Sequence, residues 1–374
     1  MVPLTALLLC AGLLGLALWV LPRLYNRFWE TGLDCKISFT QDYAVEDQDS
    51  ALLEVITNNK LLPLPVLEIS FHMDRRLQFG AGDNASLSDQ TYRRDVFAAA
   101  MRQKITRTLD FNCAGRGYFR INEAGLTARD LLLTRKYISS RPQNTEFYVL
   151  PRPVPTGQIQ IPYSKIMGAV LSRKRVCDDP FEFGGLREYA RGDPMKYINW
   201  KATARAGRLL TNLHESTLSQ RVVLAIDMEG GGLQGDFLAE AGVRVACSLA
   251  ERLLAEGIEL SLYSNGGDVR TGGDWKLEGV SGAGSTLFLK KKLACLQLGA
   301  GLPPVCDFLP QGLDAEDLLV LVSRNQRDQL GEAFSQALGR GHGLRVIPCG
   351  LGTSEKGREE LLQFSNIEPV WMEF

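Results

Sequence analysis

The feature that most constrains this fold is the run RVVLAI at 221–226 together with the pattern that follows it. A short, continuous apolar run rich in β-branched residues reads as a strand buried on both faces. Phe237, Ala241, Val245, Leu249 and Leu253 then recur at every fourth position, one face of a helix that stops near Gly257. The alternation continues with IELSLY (258–263), a helix capped by Ser285 and running through Leu287, Leu293 and Leu296, and LLVLVS (318–323). A helix near 326–338 and a strand at 344–348 close the series. Strands alternating with helices imply right-handed βαβ units, and residues 216–374 are therefore predicted to form a doubly wound parallel sheet.

Upstream the period changes. CKISFT, ALLEVIT, VLEISFHM, KITRTLDF and TEFYVL have period-two or β-rich character, with turn residues at 58–60 and 80–84 between them. Residues 31–150 thus read as an antiparallel sandwich of immunoglobulin-like type. PRPVPTGQIQIP (151–162) reads as an extended spacer and 163–182 as an exposed polar loop. The segment 151–215 is accordingly taken as linker plus a charged insert.

Leu4 to Leu21 is eighteen residues without a charge. As a helix it reaches about 27 Å, enough to cross a bilayer, and Trp19 and Tyr25 fall where interfacial aromatics belong. Residues 1–30 are therefore expected to be a transmembrane helix. Arg23 and Arg27 follow the run and nothing basic precedes it, which puts the remaining chain in the cytoplasm.

The formal net charge is −1, so no global field draws the protein to nucleic acid. The eight cysteines include no CxxC pair, which speaks against a zinc ribbon or a redox dithiol. His72, His214 and His342 are far apart, leaving little for a histidine-centred site.

The densest cluster of charge is FGGLREYARGDPMKYINWKATARAGRLL, 183–210. Asp193-Pro194 reads as a helix start and Gly207 as its stop. Between them Lys201, Arg205 and Arg208 form one basic stripe, while Asn199 and Thr203 share another face. Such a stretch is either a solvated amphipathic helix with surface ion pairs or a surface whose guanidinium groups recognise a partner.

Gly185, Arg187, Tyr189, Gly192, Asp193, Ile198, Asn199, Trp200, Lys201, Thr203, Ala204 and Arg205 stand in an order that resembles the signature of the domain-of-unknown-function family 58. GRGYF (115–119), LTARDLLL (126–133) and YVLPRPVP are similar to further elements of that family. The resemblance implies a C-terminal von Willebrand factor A-like domain, a MoxR-type AAA+ ATPase as partner, no established enzymatic activity, and residence in the bacterial inner membrane. The adhesion-type metal site of such domains needs D-x-S-x-S after the first strand. Here the string is Asp227-Met228-Glu229-Gly230-Gly231, both serine positions are lost, and the site reads as degenerate, with Asp227 at most left of it.

The expected function is thus a membrane-anchored, non-enzymatic scaffold acting with a MoxR-type ATPase on an unknown client, without cofactor or nucleic acid. Its candidate binding residues are Arg187, Glu188, Tyr189, Arg191, Asp193, Asn199, Trp200, Lys201 and Arg205, with the charged groups paired inward to fix the insert on the α/β domain. Alternatives are a divalent-metal-dependent binding module at Asp227 and Glu229, and a hydrolase using the Glu188 and Asp193 carboxylates.

Overall fold

The computed structural model describes residues 4–80, 85–88, 92–174, 183–191, 193, 195–214, 221–309, 313, 317–324, 328–338, 342–349 and 370–374. The chain divides into two compact units, Met1–Arg152 and Pro153–Phe374.

In the first unit α1 (Leu4–Phe28) leads into β1 (Leu33–Phe39), β2 (Tyr43–Val45), β3 (Asp49–Asn58), β4 (Leu64–His72) and β5 (Leu77–Phe79). β6 (Ala85–Ser88), β7 (Tyr92–Ala99), β8 (Gln103–Cys113), β9 (Gly117–Arg129) and β10 (Lys136–Leu150) complete it. One sheet runs β1-β3-β8-β5 and the other β2-β10-β9-β4-β7-β6. Alternate residues of β3 are buried, the period-two signature of a strand with one face on a core. Leu52 and Ile56 from the first sheet and Ile69, Phe71 and Phe147 from the second share that core. Phe147 stacks on Phe39 at 4.5 Å between centroids and meets Phe111 edge-on at 5.6 Å, so aromatic contacts bind the two layers.

The expected fold class fails at its first element. Among the described residues no helix is long and apolar enough to cross a membrane, which overturns the transmembrane anchor, the single-pass topology and the inner-membrane location. The last turns of α1 belong to the β unit. They carry Arg23 and Arg27, and Pro22 and Tyr25 are buried. The Tyr25 hydroxyl donates to the Pro63 carbonyl at 2.6 Å, and Tyr137 donates to the Pro22 carbonyl at 3.2 Å. Of the two aromatics expected at a lipid interface, Tyr25 is instead packed on Tyr137, whose ring also stacks with that of Trp29, and Trp19 is exposed.

The second unit begins with α2 (Thr156–Lys174), β11 (Phe183–Glu188), α3 (Trp200–Ala206), β12 (Leu210–His214), β13 (Arg221–Ile226) and β14 (Glu229–Gly230). It continues through α4 (Gly232–Ala255), β15 (Glu259–Gly267), β16 (Asp274–Val280), α5 (Thr286–Ala294), β17 (Gly299–Ala300), β18 (Leu318–Val322), α6 (Asp328–Leu338), β19 (His342–Cys349) and β20 (Val370–Glu373). Its main sheet is ordered β16-β15-β13-β18-β19-β20, parallel except for β16 at the edge. Val222, Leu224 and Ile226 of β13 pack with Val245, Leu249 and Leu253 of α4. Val223 and Ala225 point the other way, into a cluster with Phe334 of α6. Covering on both faces explains the unbroken apolar run.

The spacer expected at 151–162 and the loop after it are largely helix. α2 contains Pro162 and buries Ile159, Ile166 and Val170 in the same core as α4. The part of the expected loop at 175–182 lies outside the described residues.

Candidate functional site

Residues 183–214 build a small structure of their own. β11 and β12 pair antiparallel, with Arg187 opposite Thr211 and Glu188 opposite Leu210. The chain then turns back, and the Asp193 carboxylate organises that turn. Its Oδ2 accepts from the Ala190 amide at 2.9 Å, and its Oδ1 accepts from Arg187 Nη2 at 2.7 Å. The Tyr189 hydroxyl donates to the Asp193 carbonyl at 3.2 Å, and the Tyr189 amide to the Leu209 carbonyl at 3.0 Å. The guanidinium of Arg187 and then the Ala190 amide hold the Asp193 carboxyl below the usual carboxylate range.

Asp193 is therefore not a helix cap. A 3-10 turn occupies Met195–Tyr197, and α3 starts six residues later than the sequence suggests, at Trp200. Asn199 is its cap, with Oδ1 accepting from the Ala202 amide at 3.0 Å. Gly207 ends it in the left-handed region, φ 66°, where a β-carbon would be strained.

The inner side of α3 is tied to β12. Thr203 Oγ1 accepts from the Leu210 amide at 3.0 Å, Asn199 Nδ2 donates to Asn212 Oδ1 at 2.8 Å, and Ile198 bridges Thr211. The outer side carries Trp200, 63% exposed, with Lys201, Ala204 and Arg205.

The charged residues do not form one inward network. Arg187 pairs with Asp193 and Arg208 with Glu188, both at the surface of the hairpin. Among the described residues Arg191, Lys201 and Arg205 make no ion pair, and no pair runs from this segment to the parallel sheet. The expectation that these charges glue the insert to the α/β body is corrected accordingly. Exposed side chains here are solvated, so pairing remains local.

Asp227 sits where β13 ends, beside Ser323 after β18 and Asn265 in β15. Its Oδ1 accepts from Asn265 Nδ2 at 3.0 Å and from the Glu229 amide at 3.1 Å, and its Oδ2 accepts from Ser323 Oγ at 2.6 Å. Asn265 in turn accepts from the Met228 amide at 2.8 Å and donates to the Pro303 carbonyl at 2.9 Å. The carboxylate is buried and occupied by neutral donors that lock three strand ends together. Among the described residues no three His, Cys, Asp or Glu side chains gather as a metal site. Of the two residues that decide this, Ser323 reads from the sequence only as the end of a strand where an acidic ligand would be expected, and Asn265 is not singled out at all.

No family model matches the chain, and no curated protein matches it. Solved structures match about a third of it. BslA, a bacterial hydrophobin, is 14% identical over 32% of this chain and 97% of its own, with a TM-score of 0.21. The sixth cohesin of scaffoldin B from Acetivibrio cellulolyticus is 11% identical over 31% of this chain and 98% of its own, TM-score 0.23. A CARDB domain from Pyrococcus furiosus is 10% identical over 33% of this chain and 90% of its own, TM-score 0.21. Scores of this size carry no statement about what the chain does.

Proposed function

We propose that the chain is a non-enzymatic interaction protein, related to the domain-of-unknown-function family 58, that works with a MoxR-type AAA+ ATPase in the assembly or maturation of protein complexes. The docking surface is the 183–214 structure. The observation that supports this most directly is Trp200, 63% exposed on a short helix whose other side is pinned to β12. An exposed tryptophan on a pinned helix that also carries the exposed Arg205 has the composition of an interface hot spot. The organised Asp193 turn holds Arg187, and Arg191 lies within that turn.

The two alternatives draw less support. Both Asp227 oxygens already accept from Ser323, Asn265 and the Glu229 amide, and among the described residues no cluster of acidic, His or Cys side chains gathers round it to complete a cation's shell. A hydrolase needs an acid with a raised pKa, whereas Asp193 is shifted down and Glu188 is exposed and paired with Arg208.

The test is capture of the purified MoxR-type ATPase of the same organism by the full chain. Trp200→Ala abolishes capture in this reading, and Arg187→Ala weakens it by loosening the Asp193 turn. Wild-type capture by both variants rules out docking through this segment.

A further inference from the structure

The outer face of α3 holds cations, Lys201 and Arg205, that pair with no carboxylate among the described residues. Between Met195 and Leu209 the sequence has Lys196, Lys201, Arg205 and Arg208 and no Asp or Glu, within a chain of net charge −1. Two of the four are occupied: Arg208 pairs with Glu188, and the Lys196 ammonium lies 4.7 Å from the centroid of the Tyr197 ring. Lys201 and Arg205 stand one turn apart on the outer face and make no ion pair among the described residues, and the same holds for Arg191 before the helix.

Trp200 is exposed at the start of the same helix and flanks that stripe, about 100° round the helix axis from Lys201, while Asn199 and Thr203 are held against β12. Ala204, one turn after Trp200, adds only a methyl group and leaves the indole uncovered. An exposed indole gains by being covered, and cations around it select what can cover it. A ligand with carboxylates around one apolar side chain satisfies both. A polynucleotide satisfies the charges less well, since no second exposed aromatic on α3 continues a stacking track and the whole chain is slightly negative.

We infer that this face binds an acidic segment of a partner protein, with carboxylates on Lys201 and Arg205 and an apolar side chain on Trp200. The inference rests on the reading of 183–214 as the docking surface and adds the chemistry of what docks there.

The probe is a fluorescein-labelled glutamate-rich peptide with one central phenylalanine, titrated into the full chain at low and at physiological salt. The wild-type protein binds it, and binding weakens as salt rises. Lys201→Glu with Arg205→Glu weakens binding at least about tenfold, and this double variant instead binds a lysine-rich peptide with the same phenylalanine. Trp200→Ala loses the acidic peptide, and added to the double variant it loses the lysine-rich one, while its melting temperature stays that of its parent. Equal affinity of wild type and double variant for the acidic peptide overturns the inference. So does binding of a single-stranded oligonucleotide in place of the peptide.

ATPase capture by the same variants separates the two claims. If Trp200→Ala loses capture but the double charge reversal keeps it, the docking surface stands and the acidic ligand is overturned. If both variants capture normally, the docking surface falls and the inference with it.

Discussion

Each unit contains a cluster of guanidinium and carboxylate groups, and the shortest contact to the central aspartate is the same 2.7 Å in both. In the β unit Asp95 of β7 accepts from Arg93 Nε at 2.7 Å and from Arg107 Nη1 at 2.9 Å. In the other, Asp193 accepts from Arg187 at 2.7 Å. Burial separates them. Asp95 is 0% exposed and Arg93 2%, with the Phe79 ring 5.0 Å from the guanidinium, whereas the Arg187 side chain is 43% exposed. Coulomb attraction and the penalty for losing a partner both grow as water is excluded. A charge stripped of its partner in the interior has nowhere to turn, while one at the surface turns to solvent. The first cluster therefore holds a core together, and the second shapes a surface that stays available to something else.

The sharpest way to break that contrast is Asp95→Ala. It takes from Arg93 and Arg107 the one carboxylate that both donate to, leaving beside them only Glu54, whose oxygens accept from neither, and the expected loss is about 3–5 kcal/mol. Urea unfolding of the full chain, followed by a probe of the β unit, measures it. A loss under about 1 kcal/mol erases the distinction between the clusters.

Glu54 sharpens the same contrast through pH. It lies on β3 opposite Arg107 of β8 and is completely buried, and among the described residues neither of its carboxyl oxygens accepts a hydrogen bond. The charged or titratable groups around it are Arg107 on β8, Asp95 and Arg93 on β7, and the Cys35 thiol on β1. Burial first, and then the Asp95 charge, push its carboxyl up to about 7, against the pull of Arg107 and Arg93. An acid whose pKa is higher in the folded state favours folding while it is protonated. That contribution is whole below the unfolded carboxyl's range near 4.5 and is lost as pH rises through about 7. The wild type is expected to lose about 3 kcal/mol between these limits. Glu54→Gln removes the slope, matches the wild type near pH 5 and exceeds it above pH 8. A wild-type stability that is flat from pH 5 to 8 defeats this account.

How much of this was legible in the sequence depends on what each residue faces. RVVLAI and LLVLVS coincide with β13 and β18 because both sides of those strands are covered. β9 was not legible as one strand. Its alternation breaks at Asn122 and Glu123, both exposed, opposite the register shift between Pro142 and Thr145 of β10. α2 was hidden by the prolines before and within it, although Ile159, Ile166 and Val170 already lie on one helical stripe. The apolar run of α1 misled because hydropathy does not reveal that Tyr25 ends in a β core. In the candidate site Gly207 was readable as the helix stop, and Asp193 was not readable as a turn residue, since Arg187 and Ala190 become its partners only once the chain reverses. The buried charges had a faint signal: Glu54 has the same parity along β3 as the core residues Leu52 and Ile56.

The smallest expected effect completes the comparison and keeps the binding experiments interpretable. Asn199→Ala removes the cap of α3 and is expected to cost about 1 kcal/mol, seen as faster amide exchange in 200–206. Arg187→Ala removes only an exposed ion pair, and the melting temperature of the full chain at neutral pH is expected not to move measurably. The sign with pH is opposite to that of Glu54. Asp193 is held below its ordinary range, so the pairing helps above the unfolded carboxylate range and fades as pH falls through the lowered value. Neutral pH is therefore where Arg187→Ala has most to lose, and melting curves there decide the matter. A fall as large as that of Asp95→Ala shows that the surface cluster carries the fold, and a loss of ATPase capture by Arg187→Ala then reports unfolding rather than docking.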